Sequence, residues 1–200
     1  MKRNNGRRSL LVSGILNINK PQSWTSHDVV AKVRRLIGQR RVGHAGTLDP
    51  LATGVLLLCV GQATRVAEYL MAGQKRYRAT LRLGISTDTY DAEGEVTREV
   101  GPVDVSLRQI EATIPTFTGE IEQVPPMYSA LKRGGQPLYK LARRGETVER
   151  QPRRVTIEAL EIVAWTTPEL TLEIVCSPGT YIRSLAHDLG ERLGCGAHVT

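Results

Sequence analysis

Cysteine is scarce in this sequence. The three present, Cys59, Cys176 and Cys195, are odd in number and widely separated. That excludes a disulfide framework and any zinc-type ligand spacing, and it makes a reducing cytoplasm the expected setting. Long hydrophobic runs are also missing, since no segment approaches the roughly twenty apolar residues that a membrane span needs. The opening MKRNNGRRSLLVSGIL has the outline of a secretory signal, but its apolar part from Leu10 to Leu16 is broken by Ser13 and Gly14. It has no small-residue cleavage site either. There is no internal repeat and no low-complexity stretch.

What is there points to an anionic partner. The 200 residues, 40% of them hydrophobic, suit one large domain or two small ones with a real core. The formal net charge is +7, and the basic residues are clustered. They fall at Lys2, Arg3, Arg7 and Arg8; at Arg34 to Arg41; at Lys75, Arg76 and Arg78; at Lys132 and Arg133; and at Arg143, Arg144, Arg150, Arg153 and Arg154. A single such cluster is ordinarily a solvated face, but repeated clustering favours a phosphate-rich surface.

Periodicity gives a coarse map. Residues 1–9 read as a mobile basic arm. Ile15 to Asn19 alternates as a strand ended by Pro21, and Thr25-Ser26 opens a helix whose N-terminus Asp28 complements. Val29, Val30, Val33, Leu36 and Ile37 share one face of that helix, and Gly38 caps it. Val55 to Val60 is a central apolar strand, and Arg65 to Ala72 a second helix closed by Gly73. Lys75 to Leu83 sets Tyr77, Ala79, Leu81 and Leu83 against Arg76, Arg78, Thr80 and Arg82, as in a half-buried strand. Thr87 to Gly94 reads as a polar loop and Val105 to Ile114 as a short helix. Val155–Trp165 and Leu170–Cys176 form an antiparallel pair, and Thr180–Leu193 a final helix. Val124 to Gly145, rich in proline, glycine and basic residues with Tyr128 and Tyr139 interleaved, reads either as a segment that lies against RNA or as an ordinary long loop with a short helix. The predicted class is α+β, with a mixed, largely antiparallel sheet flanked by helices and the active-site cleft across it. The ending at Gly196–Thr200 suggests a cut before a further strand or domain.

One run stands out chemically. Gly43-His-Ala-Gly-Thr-Leu-Asp-Pro-Leu-Ala-Thr-Gly-Val-Leu56 holds a single carboxylate, Asp49, on a glycine-punctuated turn with no second acid near it in sequence. Gly46 and Gly54 permit backbone angles that a side chain forbids, and Pro50 biases Asp49 toward an extended conformation. By itself an Asp-Pro is more often a turn residue bonded to its own backbone.

The whole run, followed by Gly61-Gln-Ala-Thr-Arg65, resembles the signature of TruB-type tRNA pseudouridine synthases. The resemblance extends to Leu16–Pro21 with Thr25–Asp28, to Lys75–Ala79, to Gly84–Asp91, to Gln123–Lys132 and to Gly179–Leu185, in the order the family shows them. It implies isomerisation of uridine to pseudouridine in the T arm of tRNA, at the position conventionally numbered 55, with no cofactor and no metal. It implies that residues 1–200 are the catalytic domain, with an insertion at about 124–154 that grips the T loop, and that a C-terminal RNA-binding domain lies outside this chain. By the same resemblance Asp49 is the essential carboxylate and Tyr77 stacks on the target base. Arg183 offsets the desolvation of the acid and orients it, and Lys20 stands at the edge of the site. His44 is either a wedge placed in the RNA or a satisfied structural histidine. The expected partner is tRNA, without a membrane or a protein partner, and the chain is expected to be a monomer. Two other readings stay open at this stage: a non-catalytic RNA-binding protein, and an RNA-cleaving enzyme using His44, for which no second acid–base group is evident.

Overall fold

The computed structural model describes residues 12–200, so the basic arm expected over residues 1–9 lies outside the described residues. The chain divides into two compact units, Met1–Gly73 and Gln74–Thr200.

In the first unit β1 (Gly14–Lys20) leads to α1 (Ser26–Ile37), then β2 (Val42–His44) and β3 (Gly54–Val60). The start and stop of α1 are written locally. Thr25 accepts from the Asp28 amide while the Asp28 carboxylate accepts from the Thr25 amide, and Gly38 closes the helix at φ 63° in the left-handed region. β3 is the middle strand of an antiparallel sheet ordered β1-β3-β2. Leu56, Leu58 and Val60 on β3 pack with Val29, Val30 and Val33 of α1 and with Val42 to form this unit's core. The helix expected over Arg65–Ala72 is shorter: a 3-10 turn covers Gly61–Val66, and α2 only Ala67–Met71.

In the second unit β4 (Lys75–Leu83) is followed by the hairpin β5 (Ile85–Thr87) and β6 (Val96–Glu99), and by α3 (Leu107–Thr113). After β7 (Gly119–Gln123), the irregular segment carries a minimal hairpin, β8 (Lys132–Arg133) with β9 (Gln136–Pro137), and one helical turn, α4 (Leu138–Ala142). The long pair β10 (Arg153–Thr166) and β11 (Glu169–Cys176) precedes α5 (Ile182–Arg192) and β12 (Ala197–Val199). The main sheet is ordered β12-β4-β11-β10-β7, with every pairing antiparallel.

The α+β class and antiparallel pairing agree with the sequence reading, but the strands are distributed over two larger sheets and two small hairpins. On β4, Ala79, Leu81 and Leu83 face inward as the alternation predicted, and they join Leu170, Leu172, Ile174, Leu185 and Leu189 in the second core.

Candidate active site

The turn that carries Asp49 is held on both sides of the acid. The Leu48 amide donates to the Ser26 hydroxyl at 3.0 Å, and that hydroxyl reaches the Leu48 carbonyl at 3.3 Å. Ser26 is the first residue of α1 and is buried. On the other side the Pro50 carbonyl accepts from the Ser23 amide at 2.9 Å and from the Lys20 ammonium at 3.1 Å. The Asp49 carbonyl accepts from Ala52 at 3.1 Å, closing the turn. Gly46 and Gly54 take φ of 116° and 105°, values that favour glycine. A half-buried carboxylate is thus presented on a loop whose neighbours are fixed to α1 and β1.

Lys20 braces the Asp49 turn. It is fully buried, and its ammonium donates to the carbonyls of Pro21 at 3.0 Å, Trp24 at 2.6 Å and Pro50 at 3.1 Å. A cation taken out of water requires such acceptors, and here they belong to the segments around the Asp49 turn.

His44 ends β2, so the first residues of the motif are strand and not turn. Its ring meets His27 of α1 edge to face, with centroids 5.3 Å apart and planes at 76°. Burial lowers its proton affinity below that of an ordinary histidine; the Gly46 main chain opposes this, and the charge of His27 adds to it. At neutral pH it is an uncharged ring, and its enclosed Nδ1 makes no hydrogen bond.

Tyr77 lies on β4 opposite Ile174 and packs, half-buried, against the second core. Arg183, on the first turn of α5, is not a surface arginine, being 6% exposed. Its guanidinium donates to the carbonyls of Thr89 at 3.2 Å and Tyr128 at 2.9 Å, and its Nη1 lies 3.3 Å from Asp91 Oδ2. The other oxygen of Asp91 accepts from the Thr89 hydroxyl at 2.6 Å and the Glu93 amide at 3.1 Å. Reading Thr87–Gly94 as a polar loop missed Asp91. Its signal was one carboxylate in a stretch that also holds Asp88, Glu93 and Glu95, a pattern many solvent loops share. Structure brings Lys20 and His44 close to the Asp49 turn in the first unit, and Arg183 to Asp91 in the second.

Part of the basic surface is already compensated. Glu173 on β11 binds Arg78 at 2.5 Å and lies 3.7 Å from Arg76, and Arg154 lies 3.3 Å from Glu120. In the segment from Val124 to Arg154, Leu138 and Leu141 are buried and Arg143 lies over the Tyr139 ring at 5.8 Å. Among the described residues no helix is long and apolar enough to cross a membrane.

Residues 34–182 match the model of the TruB family pseudouridylate synthase (N terminal domain). This chain belongs to the TruB family. It is 52% identical over 189 residues to tRNA pseudouridine synthase B of Syntrophotalea carbinolica, covering 94% of this chain and 62% of that protein. Against the synthase of the same name from Stutzerimonas stutzeri the identity is 56% over 188 residues, covering 94% and 61%. The chain therefore spans about three-fifths of the length of these relatives. Among solved structures, it resembles a chain of a Cbf5-Nop10-Gar1 complex with a TM-score of 0.72 and 32% identity, over 94% of this chain and 46% of that one. It also resembles a chain of an H/ACA RNP bound to a substrate RNA containing 2'-deoxyuridine, with a TM-score of 0.69 and 27% identity, over 96% and 46%. These likenesses agree with a pseudouridine synthase catalytic fold. The TruB motif Gly43–Leu56 coincides with the end of β2, the pinned turn and the start of β3.

Proposed function

We propose that this chain converts uridine to pseudouridine in the T arm of tRNA, at the position conventionally numbered 55. The uridine is flipped out of its stack, and the bond between N1 and the sugar C1′ breaks. The uracil turns, and a bond forms between C5 and C1′. C5 gives up its proton and N1 regains one, so the product is an isomer of the substrate. Asp49 is the catalytic carboxylate. Tyr77 stacks on the extruded base, a contact worth about 1–3 kcal/mol. Arg183 supplies positive charge for the acid and the polyanion. His44 faces the RNA, and Lys20 holds the loop. The segment 124–154 contributes basic and aromatic groups toward the T loop. No cofactor or metal enters the scheme. The chain acts as a monomer in the cytoplasm without a protein partner.

The observation that carries this reading is the geometry of the TruB motif, in which Leu48 and Pro50, on either side of Asp49, are each held by hydrogen bonds, to Ser26 and Lys20 respectively.

The test is a T-arm RNA carrying tritium at uridine C5, incubated with the purified chain. Tritium release without strand scission is expected, and Asp49→Asn is expected to fall to background. Release that persists in Asp49→Asn would remove the acid from its role, and cleaved RNA would overturn the function.

A further inference from the structure

Tyr90 sits at φ 64°, in the left-handed region that residues other than glycine seldom occupy. Its ring lies flat on that of His187, with centroids 4.0 Å apart and planes within 9°. His187 follows Arg183 by one turn of α5, so both side chains leave the same face of the helix. The residues on either side of Tyr90 are those that hold Arg183: the Thr89 carbonyl accepts from Nη1 at 3.2 Å, and Asp91 lies 3.3 Å from the same nitrogen. The turn is thus joined to α5 at two levels, by polar contacts at Arg183 and by ring stacking at His187.

The Tyr90 main chain is tied down as well. Its amide donates to Thr87 at 3.3 Å and its carbonyl accepts from Val199 at 3.1 Å. His187 Nδ1 is enclosed and makes no hydrogen bond, so no polar contact at that atom accounts for where the ring lies. Burial lowers the proton affinity of this imidazole; Glu191 opposes the effect and Arg150 adds to it, and at neutral pH the stacked ring is uncharged.

We propose that the Tyr90–His187 stack is a positioning device for Arg183: it clamps the Thr89–Asp91 turn against α5, so that one carbonyl and one carboxylate fix the guanidinium. The inference rests on the reading of Arg183 as part of a uridine-isomerising site. Neither ring touches the reacting atoms, and both are positioning residues. A left-handed Tyr90 places Thr89 O and Asp91 Oδ2 on the same guanidinium nitrogen, and the stack stabilises that conformation against relaxation of the turn.

The experiment compares His187→Ala, His187→Phe and Tyr90→Leu with the unmodified chain. It reads tritium-release kinetics, thermal melting and the Arg183 guanidinium N–H signals of nitrogen-15-labelled protein, identified by their loss in Arg183→Lys. His187→Ala is expected to lower kcat by about tenfold or more, as small misplacements do. KM for the RNA is expected to stay within about twofold, because the lost interaction belongs to the transition state. His187→Phe restores a flat ring and is expected to recover most of kcat. The Arg183 signals should broaden in His187→Ala and Tyr90→Leu and sharpen again in His187→Phe. A folded His187→Ala with unchanged kcat and unchanged Arg183 signals overturns the proposal, as does a His187→Phe no better than His187→Ala. If His187→Ala does not fold, Tyr90→Leu and His187→Phe decide on the same readouts. If the unmodified chain releases no tritium, the function reading fails, and the Arg183 signals alone judge the clamp.

Discussion

The ammonium of Lys20 lies 3.1 Å from the carbonyl oxygen of Pro50, so the last residue of β1 holds the residue that follows Asp49. The same ammonium also collects the carbonyls of Pro21 and Trp24. A buried cation with three main-chain acceptors ties the Lys20–Trp24 segment to the Asp49 turn, and its removal would leave three carbonyls without that donor.

Lys20→Met keeps the length and the apolar stem of the side chain but loses the donor. It is expected to cost about 2–3 kcal/mol of stability, from the loss of hydrogen bonds with a charged donor. Lys20→Arg should not rescue, because a planar guanidinium does not fit where a compact ammonium is enclosed. Urea denaturation of the three proteins measures this. A Lys20→Met protein as stable as the original would mean that the brace contributes nothing.

Asp91→Asn tests the ion pair with Arg183. Both side chains are 8% exposed, whereas those of Arg154 and Glu120 are 74% and 66% exposed. Breaking a buried pair leaves a charge with little solvent, and the expected loss is about 3 kcal/mol. Glu120→Ala removes an exposed pair and should leave the melting temperature where it was, since solvent screens such pairs. Equal effects from the two substitutions would show that burial does not set the strength of the Arg183–Asp91 contact.

The contrast between these residues also shows what the sequence could reveal. Features encoded by near neighbours were legible: the Thr25–Asp28 box and Gly38 at the ends of α1, the apolar run of β3, and the alternation of β4. Short strands whose partners lie elsewhere in the chain were not. β2, β5 and β12 have three residues each, too few to show a period, and β12 exists because β4 offers it an edge. All four residues of β6 are exposed, so that strand has no apolar alternation to read. At the site, Asp49 stood out because it lies in a continuous run that resembles the TruB signature, whereas the groups that hold its turn, Lys20, Ser23 and Ser26, are distant in sequence. The burial of Arg183 did not stand out. Its acceptors Thr89, Asp91 and Tyr128 come from two distant segments, and an arginine near a helix start ordinarily faces water.

Asp188 on α5 should give the protein a pH dependence of opposite sign to that of an ordinary salt-bridged acid. Burial, reinforced by the neighbouring Glu191, raises its pKa from 3.8 to about 6. Between those values the folded state holds a proton that the unfolded state has released, so this group makes stability fall as pH rises through the window. Below pH 3.8 both states are protonated and the contribution is fully present. Asp188→Asn should therefore stabilise the protein at pH 7 by on the order of 1 kcal/mol, a figure reduced for the solvent that still reaches the group. The gain should shrink toward zero at pH 4. Melting curves at the two pH values check it, and an identical gain at both would remove burial of the charge as the cause.

Gly190 lies inside α5, where alanine ordinarily improves a helix by about 1 kcal/mol. Here a methyl group would meet the Ala197 amide and the Gly196 carbonyl carbon, both main-chain atoms, and would stand 2.6 Å from the Ala197 side chain. β12 runs against the helix at this point, and Gly190 O accepts from Cys195 at 3.1 Å and Gly196 at 2.9 Å, so the backbone cannot retreat without breaking the link. Overpacking should outweigh the propensity gain and destabilise Gly190→Ala by about 2–3 kcal/mol. Gly38→Ala is the matched comparison. Its methyl group would meet nothing within 4 Å, so only the left-handed φ of 63° is penalised, at about 1 kcal/mol. Chemical denaturation of the two variants should rank Gly190→Ala as the more damaging. The reverse order would mean that β12 can move away from α5, and that the close approach at Gly190 does not fix the end of the main sheet.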